Sequence, residues 1–136
     1  MAHEKFRAEV LTPEGEVFND EVEMVSTRTA VGSIGVLAHH QPLLAMLDPA
    51  ELRLYKSESE VVSFAQAEGY LQVANNQAMV LVEEAHAKDE LDAANLRDRL
   101  QQAERDIESA GEDSERRRLA ERDRTRWETF LRIAEG

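Results

Sequence analysis

Up to about residue 86, apolar side chains recur at every second position. Phe6, Ala8 and Val10 alternate with Arg7 and Glu9, the pattern of a strand with one buried face. Thr12-Pro-Glu-Gly15 follows and reads as a turn with Pro at its second position. Residues 16–18 and 22–27 read as the next strands, with Asn19-Asp20 as the break between them. Residues 52–56 and 61–67 pair across Ser57-Glu-Ser59. Residues 70–73 and 78–82 flank Asn75-Asn76, two side chains that tolerate the left-handed backbone of a tight hairpin. Short strands with frequent turn signals predict a β-sandwich or barrel of about ten strands.

After Lys88 the period becomes helical. Ala93, Leu96, Leu100, Ala103, Ile107 and Ala110 follow a 3-4-3-4-3 spacing, a narrow stripe like that of a coiled coil. Asp89 reads as the N-cap, with Asp92 three residues later. Gly111 supplies a stop, and Asp113 or Ser114 caps a second helix carrying Ala120, Trp127, Phe130, Leu131 and Ala134 on one side. A link of about four residues makes the pair an antiparallel hairpin. The fold class expected is thus β + α: a sandwich over residues 1–87, then a two-helix hairpin over 88–136. The facing stripes are thin and rich in alanine, so the hairpin draws most of its stability from tertiary packing and can leave one docking surface for another.

One segment carries more information than its periodicity. Gly32-Ser-Ile-Gly-Val-Leu-Ala-His-His-Gln-Pro-Leu-Leu-Ala-Met-Leu47 places two glycines three residues apart, which predicts a loop with positive φ or very close backbone packing. Pro42 biases Gln41 away from helix, so the chain turns and then runs extended through 43–47. Two histidines sit at the tip of this loop, on a segment read as extended, which points them to opposite faces.

Charge separates the two parts. The formal net charge is −12 over 136 residues. Residues 1–87 hold 5 Lys+Arg against 14 Asp+Glu, and residues 88–136 hold 11 against 14, with ten of those 11 cations arginine. The acidic balance excludes nucleic acid and an anionic lipid surface as partners, because both are held through Lys and Arg. No run approaches about 18 apolar residues, so no membrane span is expected. Met1-Ala-His-Glu-Lys-Phe6 lacks the basic-then-apolar order of a signal peptide.

Catalytic chemistry finds little support. There is no cysteine, hence no disulfide, thiol nucleophile or thiolate metal site. Gly32-x-x-Gly35 lacks the lysine and following helix of a phosphate loop, and no Gly-x-Ser-x-Gly is present. His39 and His40 have no Cys, Asp or Glu at ligand spacing, so the expectation is no metal and no cofactor. Arg116-Arg-Arg118, Arg122, Arg124 and Arg126 are the most unusual charges. Arg118, Arg122 and Arg126 stack at i, i+4 and i+8, mildly unfavourable in an isolated helix. Their column is either a solvated face relieved by Glu121, Asp123 and Glu128 or a surface for an acidic partner.

The chain resembles the epsilon subunit of F-type ATP synthases. Gly32, Gly35, His40, Pro42 and Leu43 fall on that family's loop pattern, Gly-x-(Ile/Leu)-Gly-(Ile/Val)-(Leu/Tyr)-Pro-x-His-x-Pro-Leu, with Ala38 where a proline is usual. Glu68-Gly-Tyr-Leu-Gln-Val73 and Ala78-Met-Val-Leu-Val-Glu-Glu-Ala-His86 are similar to two further family segments, with Glu68 in place of a glycine. The resemblance runs in order along the whole chain.

That resemblance implies a non-catalytic rotor subunit of the central stalk. Its sandwich would bind the gamma subunit and the ring of c subunits, coupling proton-driven rotation to ATP synthesis. Its hairpin would meet the alpha and beta subunits and restrain ATP hydrolysis. Ser33, Gly35, His39, His40 and Pro42 are then the expected ring contacts, and Arg116, Arg117, Arg118, Arg122 and Arg126 the expected inhibitory contacts. Some relatives bind ATP through (Ile/Leu)-Asp-x-x-Arg-Ala. Leu91 and Asp92 match, but Asn95 and Leu96 replace the arginine and alanine, leaving Asp92 and Arg99 as a weak ATP site, with Asp92 read first as a helix cap. Without direct membrane insertion, the expected place is peripheral, on the cytoplasmic face of a bacterial plasma membrane or, as the alternative, the stromal face of a thylakoid. The rival readings are a stand-alone nucleotide-sensing module, opposed by Asn95, and a metal-dependent sandwich enzyme using His39, His40 and His86.

Overall fold

The computed structural model describes residues 3–136, so Met1 and Ala2, where the signal-peptide reading begins, lie outside the described residues. Ten strands come first: β1 Phe6–Thr12, β2 Gly15–Val22, β3 Met24–Thr29, β4 Gly32–Val36, β5 Leu43–Leu47, β6 Ala50–Tyr55, β7 Val61–Gln66, β8 Gly69–Ala74, β9 Gln77–Val82 and β10 Ala85–Ala87. Two helices follow, α1 Ala93–Ala110 and α2 Ser114–Glu135, after a short 3-10 turn over Lys88–Glu90. The chain divides into two compact units, one ending at Ala87 and the other running Lys88–Gly136.

In the first unit the strand order is β10-β7-β6-β3-β5-β8-β9-β1-β2, with β4 on β3. Every pairing is antiparallel except β1 with β9. β3 meets β5 only through Thr29 and Leu47, and there the sheet folds over itself. Phe6, Ala8 and Val10 of β1 therefore share one core with Leu52 and Leu54 of β6 and Leu71 and Val73 of β8. Burying each Val, Leu or Phe contributes about 1.5–3 kcal/mol against the entropy of ordering the chain.

One polar cluster sits within that core. Thr27 Oγ1 donates to Gln66 Oε1 at 2.8 Å. The Gln66 amide in turn donates to the carbonyls of Asp48 at 2.9 Å and Ala67 at 3.2 Å. These bonds satisfy a side chain that is fully buried.

Two expectations about the strands need correcting. Asn19-Asp20 does not break a strand: β2 runs through it, opposite Glu9 and Ala8. An edge strand tolerates polar residues whose side chains find partners, here Arg7 for Asn19 at 3.2 Å and Lys56 for Asp20 at 3.0 Å. Gly32-Ser-Ile-Gly35 is likewise not a loop. It is β4, paired with β3 from Thr29↔Gly32 to Val25↔Val36. Of its two glycines only Gly32 has positive φ, at 137°.

The second unit is the antiparallel hairpin. Asp92, not Asp89, caps α1, accepting from the Asn95 N–H at 3.2 Å. Asp89 lies inside the 3-10 turn. Asp113 caps α2 by accepting from the Arg116 N–H at 3.1 Å. Gly111 closes α1 with φ 58°, a conformation that disfavours a Cβ. The α1 stripe is as spaced, with Leu96, Ala103 and Ala110 buried. The α2 face is rotated from the expected one: Ala120, Arg126, Thr129, Phe130 and Ile133 are buried, while Trp127, Leu131 and Ala134 are only partly so. Apolar residues stand side by side at 130–131 and 133–134, so period alone leaves the face undetermined by one position. Thr129 is accommodated by donating to the Thr125 carbonyl at 2.8 Å.

Candidate interaction surfaces

Strand alternation that fills the core also sets what points outward. On β5, β8, β9 and β1 the outward residues align across the sheet as Met46, Tyr70, Leu81 and Leu11, each opposite the next. The adjoining row is Leu44, Gln72, Met79 and Glu9. Leu44 is 71 % exposed and Met46 62 %. Four strands about 4.8 Å apart make the first row, with Leu44 beside it, an apolar band ~15 Å across. Sequence reasoning missed the band. Its signal was the unbroken apolar run of 43–47, because a strand with one solvated face would alternate.

The expected ring contacts occupy β4 and the connection that follows it. Ser33 and Gly35 are exposed on the same face of β4. His39 and His40 are not on an extended segment. The His40 N–H donates to the Leu37 carbonyl at 3.2 Å, closing a β-turn in which His39 takes φ 64°. Two contacts fix the turn's position: the His39 N–H donates to Asn76 Oδ1 at 2.7 Å, and His39 Nε2 lies 3.0 Å from Glu4 Oε2. Asn76 belongs to the β8–β9 hairpin, where Asn75 and Asn76 both take positive φ, the geometry expected of that dipeptide. His40 Nδ1 is 2.7 Å from the Gln41 carbonyl oxygen. A carbonyl only accepts, so Nδ1 is the donor in this contact. Pro42 is exposed and leads directly into β5. Among the described residues no group of three His, Cys, Asp or Glu gathers as metal ligands.

The arginines expected to form one column occupy different environments. Arg118 pairs with Glu115 at 2.7 Å, and the contact holds the Glu115 carboxyl below its ordinary value. Arg122 reaches Asp123 at 3.3 Å. Arg117 donates to the Gly111 carbonyl at 2.8 Å, so it caps the end of α1. Arg126 is buried, its Cζ 5.5 Å from the Trp127 ring centroid. Arg116 is exposed. Asp92 and Arg99 are not brought together: Asp92 serves the cap, and Arg99 lies over Trp127, with Cζ 4.9 Å from the centroid. No helix among the described residues is long and apolar enough to cross a membrane.

Known proteins share both the sequence and the architecture. The family described as "ATP synthase, Delta/Epsilon chain, beta-sandwich domain" matches residues 5–88. An ATP synthase epsilon chain from Sulfurihydrogenibium sp. (strain YO3AOP1) is 33% identical over 129 residues, covering 95% of this chain and 96% of its own. One from Rubrobacter xylanophilus is 34% identical and covers 92% and 88%. The fold is also that of a chain in the OSCP/F1/c-ring part of the Euglena gracilis mitochondrial ATP synthase. There the TM-score is 0.82 at 20% identity, over 100% of this chain and 84% of that one.

Proposed function

This chain belongs to the ATP synthase delta/epsilon family, and on that premise we propose that it is a non-catalytic rotor subunit of the central stalk. The assembled complex is the enzyme, and this subunit transmits rotation within it, coupling proton movement at the c-ring to ATP synthesis. The observation that carries the reading is the outward band of Leu44, Met46, Tyr70 and Leu81, which are 71, 62, 49 and 39 % exposed. A band this apolar is a surface made for a protein partner, and the partner is the gamma subunit.

The turn holding His39 and His40, with Ser33, Gly35 and Pro42 beside it in the chain, faces the c-ring in this reading. Its support is rigidity: bonds to Asn76 and Glu4 hold the turn in place. The hairpin restrains hydrolysis by meeting carboxylates on the alpha and beta subunits. Arg116, Arg118 and Arg122 are exposed for such contacts, while Arg117 and Arg126 join only when the hairpin opens. The subunit is peripheral on the cytoplasmic face of a bacterial plasma membrane and is held there through its partners.

Two measurements test the reading. Leu44→Glu together with Met46→Glu should weaken binding to a complex depleted of this chain at least about tenfold, since charges would be buried in an apolar contact. Removal of residues 88–136 should raise the rate of ATP hydrolysis by the complex. Unchanged binding refutes the docking face, and an unchanged rate refutes the restraint.

A further inference from the structure

Among the described residues three non-glycines take positive φ, and all three meet at one contact: His39 at 64°, Asn75 at 53° and Asn76 at 58°. Such a backbone is uncommon away from glycine, and it persists where the surrounding structure holds the chain against its own preference. Topology explains the meeting. β5 begins with Leu43 opposite Val73, near the end of β8, and β9 begins with Gln77 beside Arg7 of β1. The β4–β5 connection, the β8–β9 hairpin and the residues preceding β1 therefore share one end of the sandwich. Residues 37–42 belong to no strand. Ala38 and Leu43 pack against the core on either side of the tip, and between them the His39 N–H donates to Asn76 Oδ1 at 2.7 Å.

We propose that Asn76 is the positioning residue of this turn: its side-chain oxygen fixes His39 in the left-handed conformation and so sets where His40 and Pro42 stand. The proposal rests on the reading of the turn as the face toward the c-ring. A contact made by a loop is only as precise as the bonds that tie the loop to rigid elements. This bond ties the tip to the β8–β9 hairpin, so a push on the turn passes into the sheet. Asparagine suits both halves of the task, because it tolerates positive φ and carries an acceptor. Aspartate also meets both demands, whereas glycine meets only the first.

The test compares Asn76→Gly with Asn76→Asp in the full chain, first alone and then in an ATP synthase complex depleted of this subunit. Asn76→Gly should speed hydrogen exchange at the His39 amide about three- to tenfold, as expected for one lost hydrogen bond, and leave the thermal midpoint unchanged. In the complex it should lower the number of protons pumped for each ATP hydrolysed. Asn76→Asp keeps the acceptor and should match wild type in both measurements. Wild-type exchange in Asn76→Gly overturns the proposal. An Asn76→Gly chain that melts early or fails to fold overturns it too, because the residue would then be a structural one. Equal losses in the two variants would do the same, since an intact acceptor would not have rescued the turn. Faster exchange with unchanged pumping would leave Asn76 positioning the turn and overturn the c-ring reading behind its part in rotation.

Discussion

Arg99 of α1 lies over the indole of Trp127 of α2, with its guanidinium carbon 4.9 Å from the ring centroid. Phe130 meets the same indole edge-on at 5.8 Å. The contact ties the two helices together where their apolar stripe is thin, and Arg97 adds an ion pair to Glu135 at 2.8 Å. A cation over an indole at an exposed site is worth about 0.5–1 kcal/mol. Arg99→Ala should therefore lower the stability of the hairpin by about that amount, read by far-UV circular dichroism and Trp127 fluorescence during urea unfolding. An unchanged midpoint would mean the pair is incidental to the packing.

Gly69 and Gly35 should behave oppositely. A Cβ at Gly69 would collide with the Leu81 carbonyl oxygen and lie 2.7 Å from Val82 Cα, so backbone must move. Gly69→Ala is expected to cost about 1–3 kcal/mol. At Gly35 the nearest atom is Met24 Sδ at 3.7 Å, an ordinary contact, and Gly35→Ala should unfold at the same temperature as wild type. Equal thermal midpoints for the two variants would refute the distinction.

Gln66→Leu should destabilise the sandwich although it adds apolar surface to the core. The substitution leaves the Thr27 hydroxyl and the carbonyls of Asp48 and Ala67 without the partners they have now. Buried polar groups left unsatisfied cost about 1–3 kcal/mol each. Thr27→Val with Gln66→Leu should recover part of the loss, and a double-mutant cycle in urea measures it. Additive losses would show that the two residues act independently.

Acid should weaken the contact between β2 and Lys56. The Lys56 ammonium, then the Glu21 N–H, hold the Asp20 carboxyl below its ordinary value. A depressed folded-state pKa gives stability that is present above the unfolded value, about 4, and is lost as pH falls through the folded one. The Lys56 pKa is raised, chiefly by Asp20, so its contribution is complete at neutral pH and fades only in strong alkali. Asp20→Asn should flatten part of the decline in the urea midpoint as pH falls below about 5. Wild-type slope in the variant would exclude this pair as a source of acid sensitivity.

Replacing Arg116, Arg117, Arg118, Arg122 and Arg126 together with alanine should raise hydrolysis by the complex at low salt and leave synthesis nearly unchanged. Exposed ion pairs are worth about 0.2–1 kcal/mol each and are screened by salt, so several must act together. The difference from wild type should therefore shrink as ionic strength rises. Equal hydrolysis rates at low salt would assign these arginines to the hairpin's own structure.

The sequence by itself determined which positions of the alternating strands face the core, because alternation of apolar and polar positions is local and survives in any strand of that length. Phe6, Ala8 and Val10 were legible in this way, as were the Asn75-Asn76 hairpin and the α1 stripe from Ala93 to Ala110. The family pattern was legible from Gly32 to Leu43 as a spacing of residues. Tertiary structure decided which neighbours those residues meet. It made Gly32–Val36 a strand, because β3 offered a hydrogen-bonding edge. It turned α2 so that Arg126 and Ile133 are buried and Trp127 only partly so, a choice between adjacent apolar positions that depends on the facing helix. It also aligned Met46, Tyr70, Leu81 and Leu11 across four strands. Strand pairing joins residues up to 70 positions apart in that row, and no local pattern encodes such a distance.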